Sequence, residues 1–297
     1  PAQTKHVTAE LLLENQSLQA GAGEGAGENY LGLRLEMVPH WHTYWRFPGD
    51  SGLPTEVLWR LPAGWSAGPL QWPLPARIFV PPLVNFGFEG EALIATQIKI
   101  PPGFPEGEQM ISATASWLVC KEECVPEKVE LRLKVLVSKR APKPATFAHL
   151  FQKLRGQQPR ALPPEGSIKI IDRKGAIGLE IAGLPDLIGQ EADFFPLAPM
   201  LVKGDRKPEL EANSGKFTLW MERANPFDGK ASSLPGVLSH ELGHHLKFPH
   251  TLGLSASLQV LEQQLIPGLP RSLTNLFFDL QVNEFVGQTR SHEQAQV

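Results

Sequence analysis

The sequence lacks the features that mark several classes of protein. Its 297 residues include only two cysteines, and no apolar run approaches the roughly 18–20 residues that a membrane-spanning helix needs. The net charge is -3 and no long basic run occurs, so the electrostatic footprint of a nucleic-acid-binding protein is absent. Two cysteines cannot build a dense disulfide framework, and they do not decide between an oxidising and a reducing compartment.

Glycine and proline, in contrast, are abundant, with 27 and 28 residues. They favour short strands joined by turns over long helices. Apolar and polar residues alternate with period two in the stretches 7–13, 31–37 and 129–137. Because this period is typical of half-buried antiparallel strands, we predict an all-β chain built from β-sandwiches.

A proline-rich stretch divides the chain. We predict a first β-sandwich domain over residues 1–140, a linker over 141–165 and a second β-sandwich domain over 166–290. The chain begins at Pro1 without a signal-peptide pattern, so we expect a mature or excised soluble piece.

Local patterns add detail to the linker and the second half. Apolar residues at helical spacing over 147–154 predict a short helix, with Thr146 as a candidate N-cap. A hairpin is predicted across "DRKGA", and strands are predicted in "KFTLWME" and over 252–260.

Both cysteines lie in one short stretch, "WLVCKEECVPE", between two predicted strands. A hairpin tip can bring Cys120 and Cys124 to the Cα separation of about 5.5 Å that a disulfide requires. So small a ring stabilises the fold by only about 2 kcal/mol, whereas a disulfide at an exposed tip is accessible to an incoming thiolate. The spacing alone leaves a redox-active pair and a structural disulfide open. A metal site is disfavoured because two thiolates need two further ligands.

Three separated motifs carry a resemblance to a known family. They are "PHWHTYWRFPGDSGLPTE" at 39–56, "VNFGFEGEALI" at 84–94 and "WLVCKEECVPE" at 117–127. Together they resemble the periplasmic N-terminal domain of the DsbD family of thiol:disulfide interchange proteins, and in particular its ScsB branch, which is associated with copper tolerance. The resemblance covers roughly residues 6–140; in the second half it is weaker and rests on the β pattern and "LPGVL".

The resemblance implies a fold and a function. The fold would be a tandem pair of immunoglobulin-like β-sandwich domains with a short helical linker. The cysteine pair would receive electrons from a membrane-embedded domain of the same full-length protein and pass them to a periplasmic thioredoxin-fold partner. The chain would then be the soluble periplasmic part of an inner-membrane protein, a thiol–disulfide oxidoreductase module without cofactor or resident metal.

The resemblance also implies roles for single residues. In the family the second cysteine forms the intermolecular disulfide, which maps to Cys124, and Cys120 would resolve it. An aromatic ring on a cap loop shields the cysteines in the family. The matching glycine-rich "NFGFEGE" predicts a turn with two exposed rings, so Phe86 and Phe88 are the candidate cap residues. The alternative is that both rings belong to the core. Only three residues separate the cysteines here, which differs from the DsbD branch.

The motif before the cap segment offers further candidates. The residues of "HWHTYW" alternate between two faces, with Trp41, Thr43 and Trp45 on one and His40, His42 and Tyr44 on the other. We predict core packing for the tryptophans. The polar face is either ordinary or lies beside the disulfide, where a histidine or tyrosine could assist proton movement. The family resemblance implies an acidic group near the pair that assists exchange, and Asp50 and Glu56 are the candidates for it, although Asp50 is also a common turn-former.

A competing motif lies in the second half. "SHELGHHLKFPH" contains His240, Glu241, His244 and His250 in a spacing that resembles the zinc signature of metzincin peptidases. Lys247 stands where that signature has glycine, and no methionine follows the motif. The alternatives to the redox interpretation are therefore a zinc peptidase using these four residues, and a non-catalytic structural or metal-binding pair of immunoglobulin-like domains.

Overall fold

The computed structural model describes residues 1–21, 28–160, 164–183, 191–198, 202–213, 215–224, 234, 236–241 and 255–257. Within these residues the chain is built from β-strands with one short helix, which confirms the predicted all-β fold. Before the helix come β1 (Ala2–Gln3), β2 (Val7–Leu13), β3 (Asn29–Met37), β4 (His42–Gly49), β5 (Glu56–Arg60), β6 (Ser66–Ala67), β7 (Ala76–Val80), β8 (Leu83–Glu89), β9 (Glu91–Lys99), β10 (Gly107–Cys120) and β11 (Cys124–Val137). From the helix onward come α1 (Ala148–Gly156), β12 (Pro159–Arg160), β13 (Ser167–Arg173), β14 (Ala176–Ala182), β15 (Glu191–Pro196), β16 (Glu209–Asn213), β17 (Lys216–Glu222), β18 (Gly236–Glu241) and β19 (Ser255–Ser257).

The first eleven strands form two sheets that enclose a common core. One sheet has the order β1-β2-β3-β9-β6, and the other has the order β11-β10-β4-β8-β7 with β5 also paired to β10. Alternate side chains of β3 and β10 are buried between the sheets, among them Leu33, Leu35, Ile111 and Ala113. The predicted alternation in β11 is confirmed: Leu131 and Val135 are buried, whereas the charged residues between them are exposed.

The helix packs on the outer surface of this first part of the chain. Leu150, Phe151 and Leu154 contact a small apolar cluster on β2, β3 and β9. Gly32 lets the helix approach, because a Cβ at Gly32 would lie 3.0 Å from the Phe151 ring. The predicted N-cap was wrong. The N-cap residue is Phe147, and no side chain caps the first turn, so Thr146 precedes the helix without satisfying its N–H groups.

The later strands form two further sheets, with the orders β12-β19-β18-β15 and β13-β14-β17-β16 across the described residues. The predicted hairpin across "DRKGA" is confirmed as β13 and β14, with Gly175 in a left-handed conformation at the turn. The strand predicted in "KFTLWME" is β17. Of the strand predicted over 252–260, the described residues include only β19. The domain limits at 140, 165 and 290 stay predictions.

An arginine joins the first two sheets to the later strands. The Arg77 guanidinium forms an ion pair with Asp193 at 2.6 Å and donates to the carbonyl oxygens of Phe194 and Gly204. Its carbon Cζ lies 5.4 Å from the ring centroid of Phe86 and 5.5 Å from that of Phe195, so the guanidinium contacts both rings. Because the side chains of the ion pair are largely buried, this contact fixes β15 against β7 and β8.

The N-terminal residues are tied to the β10–β11 hairpin near its tip. The buried carboxylate of Glu127 accepts hydrogen bonds from Thr4 Oγ1, from the His6 backbone N–H at 3.1 Å and from Trp117 Nε1 at 3.2 Å. The His6 ring also contacts this carboxylate and stacks on Trp41. A buried carboxylate is stable only when such donors satisfy it, so the first residues of the chain are part of this fold.

Candidate functional site

The cysteine pair closes the tip of the longest hairpin. β10 and β11 are each 14 residues long and pair in continuous register, with Cys120 directly opposite Cys124. The two Sγ atoms are bonded at 2.07 Å, and the Cα atoms are 4.2 Å apart. The turn is 121–123, closed by a hydrogen bond from the Lys121 N–H to the Glu123 carbonyl oxygen. The hairpin and the disulfide are therefore as the sequence predicted.

The two cysteines differ in exposure. Cys120 is only 3% exposed, whereas Cys124 is exposed to solvent. Cys120 is shielded because its strand is paired on both sides, with β11 and with β4, while Cys124 begins the edge strand β11. An incoming thiolate therefore meets Cys124 first.

Tyr44 contacts the exposed cysteine from the neighbouring part of the sheet. Its hydroxyl group lies 3.5 Å from Cys124 Sγ, and it is the donor because a disulfide sulfur carries no hydrogen. The side chain is buried, and burial raises the pKa of the Tyr44 phenol above its usual value of 10.0. The phenol is therefore protonated at neutral pH and can act as a hydrogen-bond donor to sulfur.

The segment 49–55 holds the Tyr44 ring in place. Gly52 lies directly against that ring, since a Cβ at Gly52 would be 2.3 Å from Tyr44 Cε1 and Cζ. The Ser51 N–H and hydroxyl group both donate to Asn85 Oδ1, at 3.1 and 3.0 Å, and Asn85 is buried. Asp50 Oδ2 accepts from the Val84 N–H at 2.9 Å. The segment thus covers the Tyr44 ring, a role that was not predicted from the sequence; the two glycines that flank "DS" are the signal that could have indicated it.

His42 lies on the same face as the disulfide. It is directly opposite Cys120 on one side and opposite Glu89 on the other. The side chain is 2% exposed, and its Nε2 has no hydrogen-bond partner among the described residues. Burial lowers the pKa of His42 below 6.5, while the Glu89 carboxylate acts in the opposite direction. Of the two alternatives for the polar face, the position beside the disulfide is the one that His42 and Tyr44 occupy, and we call Cys120, Cys124, His42 and Tyr44 the disulfide face.

The other candidates of this region lie elsewhere. Trp45 is in the core as predicted, and the partly buried Trp41 packs against this core cluster. His40 is exposed in the turn before β4, with a left-handed φ of 70°. Asp50 acts as the turn-former described above, and Glu56 is exposed at the start of β5.

The segment of the two candidate cap residues differs from the prediction. "NFGFEGE" was predicted as a turn with exposed rings, but residues 83–89 form β8, and Phe86 and Phe88 are 1% and 6% exposed. Gly87 allows this strand because it lies against the Thr43 carbonyl oxygen, where a Cβ would be only 2.2 Å away. Phe86 contacts Phe195, with ring centroids 5.6 Å apart. A shielding role of either ring stays a prediction.

The histidine-rich string lies mostly outside the described residues. His240 and Glu241 end β18, opposite Ala192 and Glu191 of β15. A zincin places its paired histidines one turn apart on a helix, so strand geometry at the first two positions argues against that interpretation. His244 and His250 lie outside the described residues.

Comparisons with known proteins point to one family. Residues 8–136 match the family model described as thiol:disulfide interchange protein DsbD, N-terminal. The N-terminal periplasmic domain of ScsB from Proteus mirabilis has a similar fold, with a TM-score of 0.55 and 17% sequence identity over 80% of this chain and 90% of that chain. The reduced N-terminal domain of DsbD from Neisseria meningitidis aligns with a TM-score of 0.28 and 9% identity over 46% of this chain and 90% of that chain. No curated protein matches the sequence.

The family match covers the whole disulfide face. It contains Cys120 and Cys124, the strand that carries His42 and Tyr44, and the covering segment 49–55. The resemblance predicted from three sequence motifs is confirmed for residues 8–136, which match the family of the DsbD N-terminal domain.

Proposed function

We propose that this chain is a periplasmic thiol–disulfide interchange module. It takes electrons from a membrane-embedded domain of the same full-length protein and passes them to a thioredoxin-fold partner through Cys120 and Cys124. Within the described residues, no helix has the length and apolar composition to cross a bilayer. A periplasmic location is supported by the match to the DsbD family and is compatible with a stable disulfide. A contribution to copper tolerance follows from the resemblance to the ScsB branch.

One observation carries this proposal. In a domain of a thiol:disulfide interchange family, the disulfide lies at a hairpin tip with one exposed and one buried cysteine. Disulfide exchange proceeds by attack of a thiolate on one sulfur, through a mixed disulfide that a second thiolate resolves. The unequal exposure supports the division of these roles. Cys124 forms the intermolecular bond, and Cys120, protected from other thiols, resolves it.

Trapping of the mixed disulfide tests this division. Reduced Cys120→Ala retains the exposed thiol, and we expect it to form a stable disulfide-linked complex with an oxidised periplasmic thioredoxin-fold protein. The matched variant Cys124→Ala retains only the buried thiol, and we expect little or no complex on a non-reducing gel. Equal complex formation by both variants would contradict the assigned roles.

Equilibration with glutathione tests the redox function itself. Structural disulfides in secreted proteins have reduction potentials below about -300 mV, whereas exchange-active disulfides have higher values. We expect the Cys120–Cys124 potential to lie above that limit, and the reduced protein to reduce the thioredoxin-fold protein. A potential well below the limit would identify a structural disulfide.

A further inference from the structure

Three strands align a cysteine sulfur, an imidazole and a carboxylate across one face of the sheet. Cys120 on β10 lies opposite His42 on β4, and His42 lies opposite Glu89 on β8. Residues directly opposite each other in antiparallel strands point to the same face, with Cβ atoms about 4.5–5.5 Å apart. The order cysteine, histidine, acid is the order that activates a nucleophile by general-base catalysis.

The state of His42 suits such a role. Its side chain is almost completely buried beside the disulfide, yet Nε2 has no hydrogen-bond partner among the described residues. An unpartnered polar atom in a native interior calls for an explanation, and one explanation is a partner that exists only in another redox state. Because burial lowers the pKa of His42, the ring is neutral near pH 7 and able to accept a proton.

We propose that His42 accepts the proton of the Cys120 thiol when Cys120 resolves the mixed disulfide, and that Glu89 stabilises the imidazolium. This proposal rests on the function proposed above. The thiol proton moves to His42 Nε2, and the Cys120 sulfur forms its bond to Cys124 Sγ. The bond between Cys124 Sγ and the partner sulfur breaks, and its electron pair leaves on the partner thiolate. The partner is reduced by two electrons, and the cysteine pair is oxidised.

The need for a base follows from the burial of Cys120. Only a thiolate attacks a disulfide, an ordinary thiol ionises near pH 8.5, and burial disfavours the charged form further. The two cysteines thus have separate neighbours on β4. Tyr44 donates a hydrogen bond to Cys124 Sγ, and His42 lies directly opposite Cys120, where it can accept the proton of that thiol. The titratable groups that face His42 are Cys120 on β10, Glu89 on β8 and Tyr44 on its own strand.

A chromogenic disulfide separates the resolving step from the first attack. When the reduced protein reacts with dithiobis-nitrobenzoate, attack by Cys124 releases the first thionitrobenzoate at a rate that depends on reagent concentration. Attack by Cys120 then releases the second at a rate that does not. Cys120→Ala shows only the first release and so identifies the second phase.

We expect His42→Asn to slow the second phase about 100-fold at about pH 7 and to leave the first phase unchanged. Above the ordinary thiol pKa of about 8.5, solvent hydroxide replaces the base, so the rates of variant and native protein should converge. A second phase within about twofold of native, or one slowed equally at every pH, overturns the proposal.

Glu89→Gln provides a second test that does not depend on the folding of the His42 variant. Glu89 is exposed, so its replacement leaves the core intact, and its charge acts on His42 through space. We expect the pH midpoint of the second phase to move to lower pH at low salt and to approach the native midpoint at high salt. If the pH midpoint of the second phase is unchanged at low salt, Glu89 does not act on His42, and the alignment of Cys120, His42 and Glu89 has no role in the proton transfer. If the native protein shows both phases and the variants behave as expected, but the native protein does not reduce the thioredoxin-fold protein, the proposed function is wrong while the proton transfer by His42 is supported.

Discussion

Replacing Gly52 by alanine tests whether the segment 49–55 holds the Tyr44 ring against the disulfide. Gly52 has a φ of +99°, and a Cβ there would lie 2.3 Å from two carbons of that ring. Carbon atoms cannot approach so closely, so either the ring or the segment must move. Movement of the ring takes the phenol away from Cys124 Sγ, and movement of the segment removes the support that holds the ring there, so both make the disulfide more accessible to small thiols.

The magnitude follows from two contributions. A side chain in a left-handed conformation costs about 1–2 kcal/mol, and overpacking against a buried ring costs about 1–3 kcal/mol more. The sum of about 2–5 kcal/mol is within the usual stability of a folded domain, so Gly52→Ala should still fold. Gly103→Ala and Gly107→Ala are matched controls that incur only the first of these costs. Gly103 and Gly107 have φ values of +76° and +137°, on either side of that of Gly52, and a Cβ at either would meet nothing within 4 Å.

Urea unfolding and reduction by dithiothreitol measure the two effects. We expect the free energy of unfolding of Gly52→Ala to lie about 1–3 kcal/mol below those of Gly103→Ala and Gly107→Ala. We also expect its disulfide to be reduced severalfold faster than in native protein and in both controls. If Gly52→Ala equals the controls in stability and the native protein in reduction rate, the segment does not hold the ring against the disulfide.

Further substitutions test other contacts. In the reduced protein, Tyr44→Phe should slow alkylation of Cys124 at neutral pH, because the thiolate loses a hydrogen-bond donor; an unchanged pH profile of alkylation would contradict this. Arg77→Ala should lower the free energy of unfolding by about 3–5 kcal/mol, since it leaves a largely buried partner unpaired, whereas Lys134→Ala at an exposed ion pair should change it by less than about 1 kcal/mol. Because burial lowers the pKa of His42, the unfolded chain binds a proton that the folded chain does not. The contribution of His42 to the free energy of unfolding should therefore be constant above pH 6.5 and decrease as the pH falls below it. Urea midpoints measured across this range should fall less steeply for His42→Asn than for the native protein.

The sequence predicted the hairpin that carries the cysteines because its strands have one buried and one solvated face. In β11, charged residues such as Lys128 and Arg132 alternate with buried ones, so period two is visible in the residue types. The disulfide followed from the short spacing at the tip of that hairpin.

The turn predicted at residues 85–91 was wrong because β8 is buried on both faces. Residues 84–88 are all buried, so no polar residue marks a solvent side, and Gly87 gives the stretch the composition of a turn. Glycine there serves close strand approach, which sequence alone does not distinguish from a turn. The covering role of Gly52 depends on a contact with Tyr44 across a loop, and no local pattern encodes such a contact.

The contacts of Glu127 have a consequence for where this domain can be cut. The family match begins at residue 8, yet Thr4 and His6, which satisfy the buried Glu127 carboxylate, come before it. The match ends at residue 136, yet Asn15 is bridged to Pro144 and α1 covers the outer apolar cluster. A fragment trimmed to the limits of the match would retain both cysteines, but the buried Glu127 carboxylate would lose the donors from Thr4 and His6 and keep only Trp117, a few residues from the reactive tip. The span that matches the family is thus shorter, at both ends, than the span that these contacts hold together.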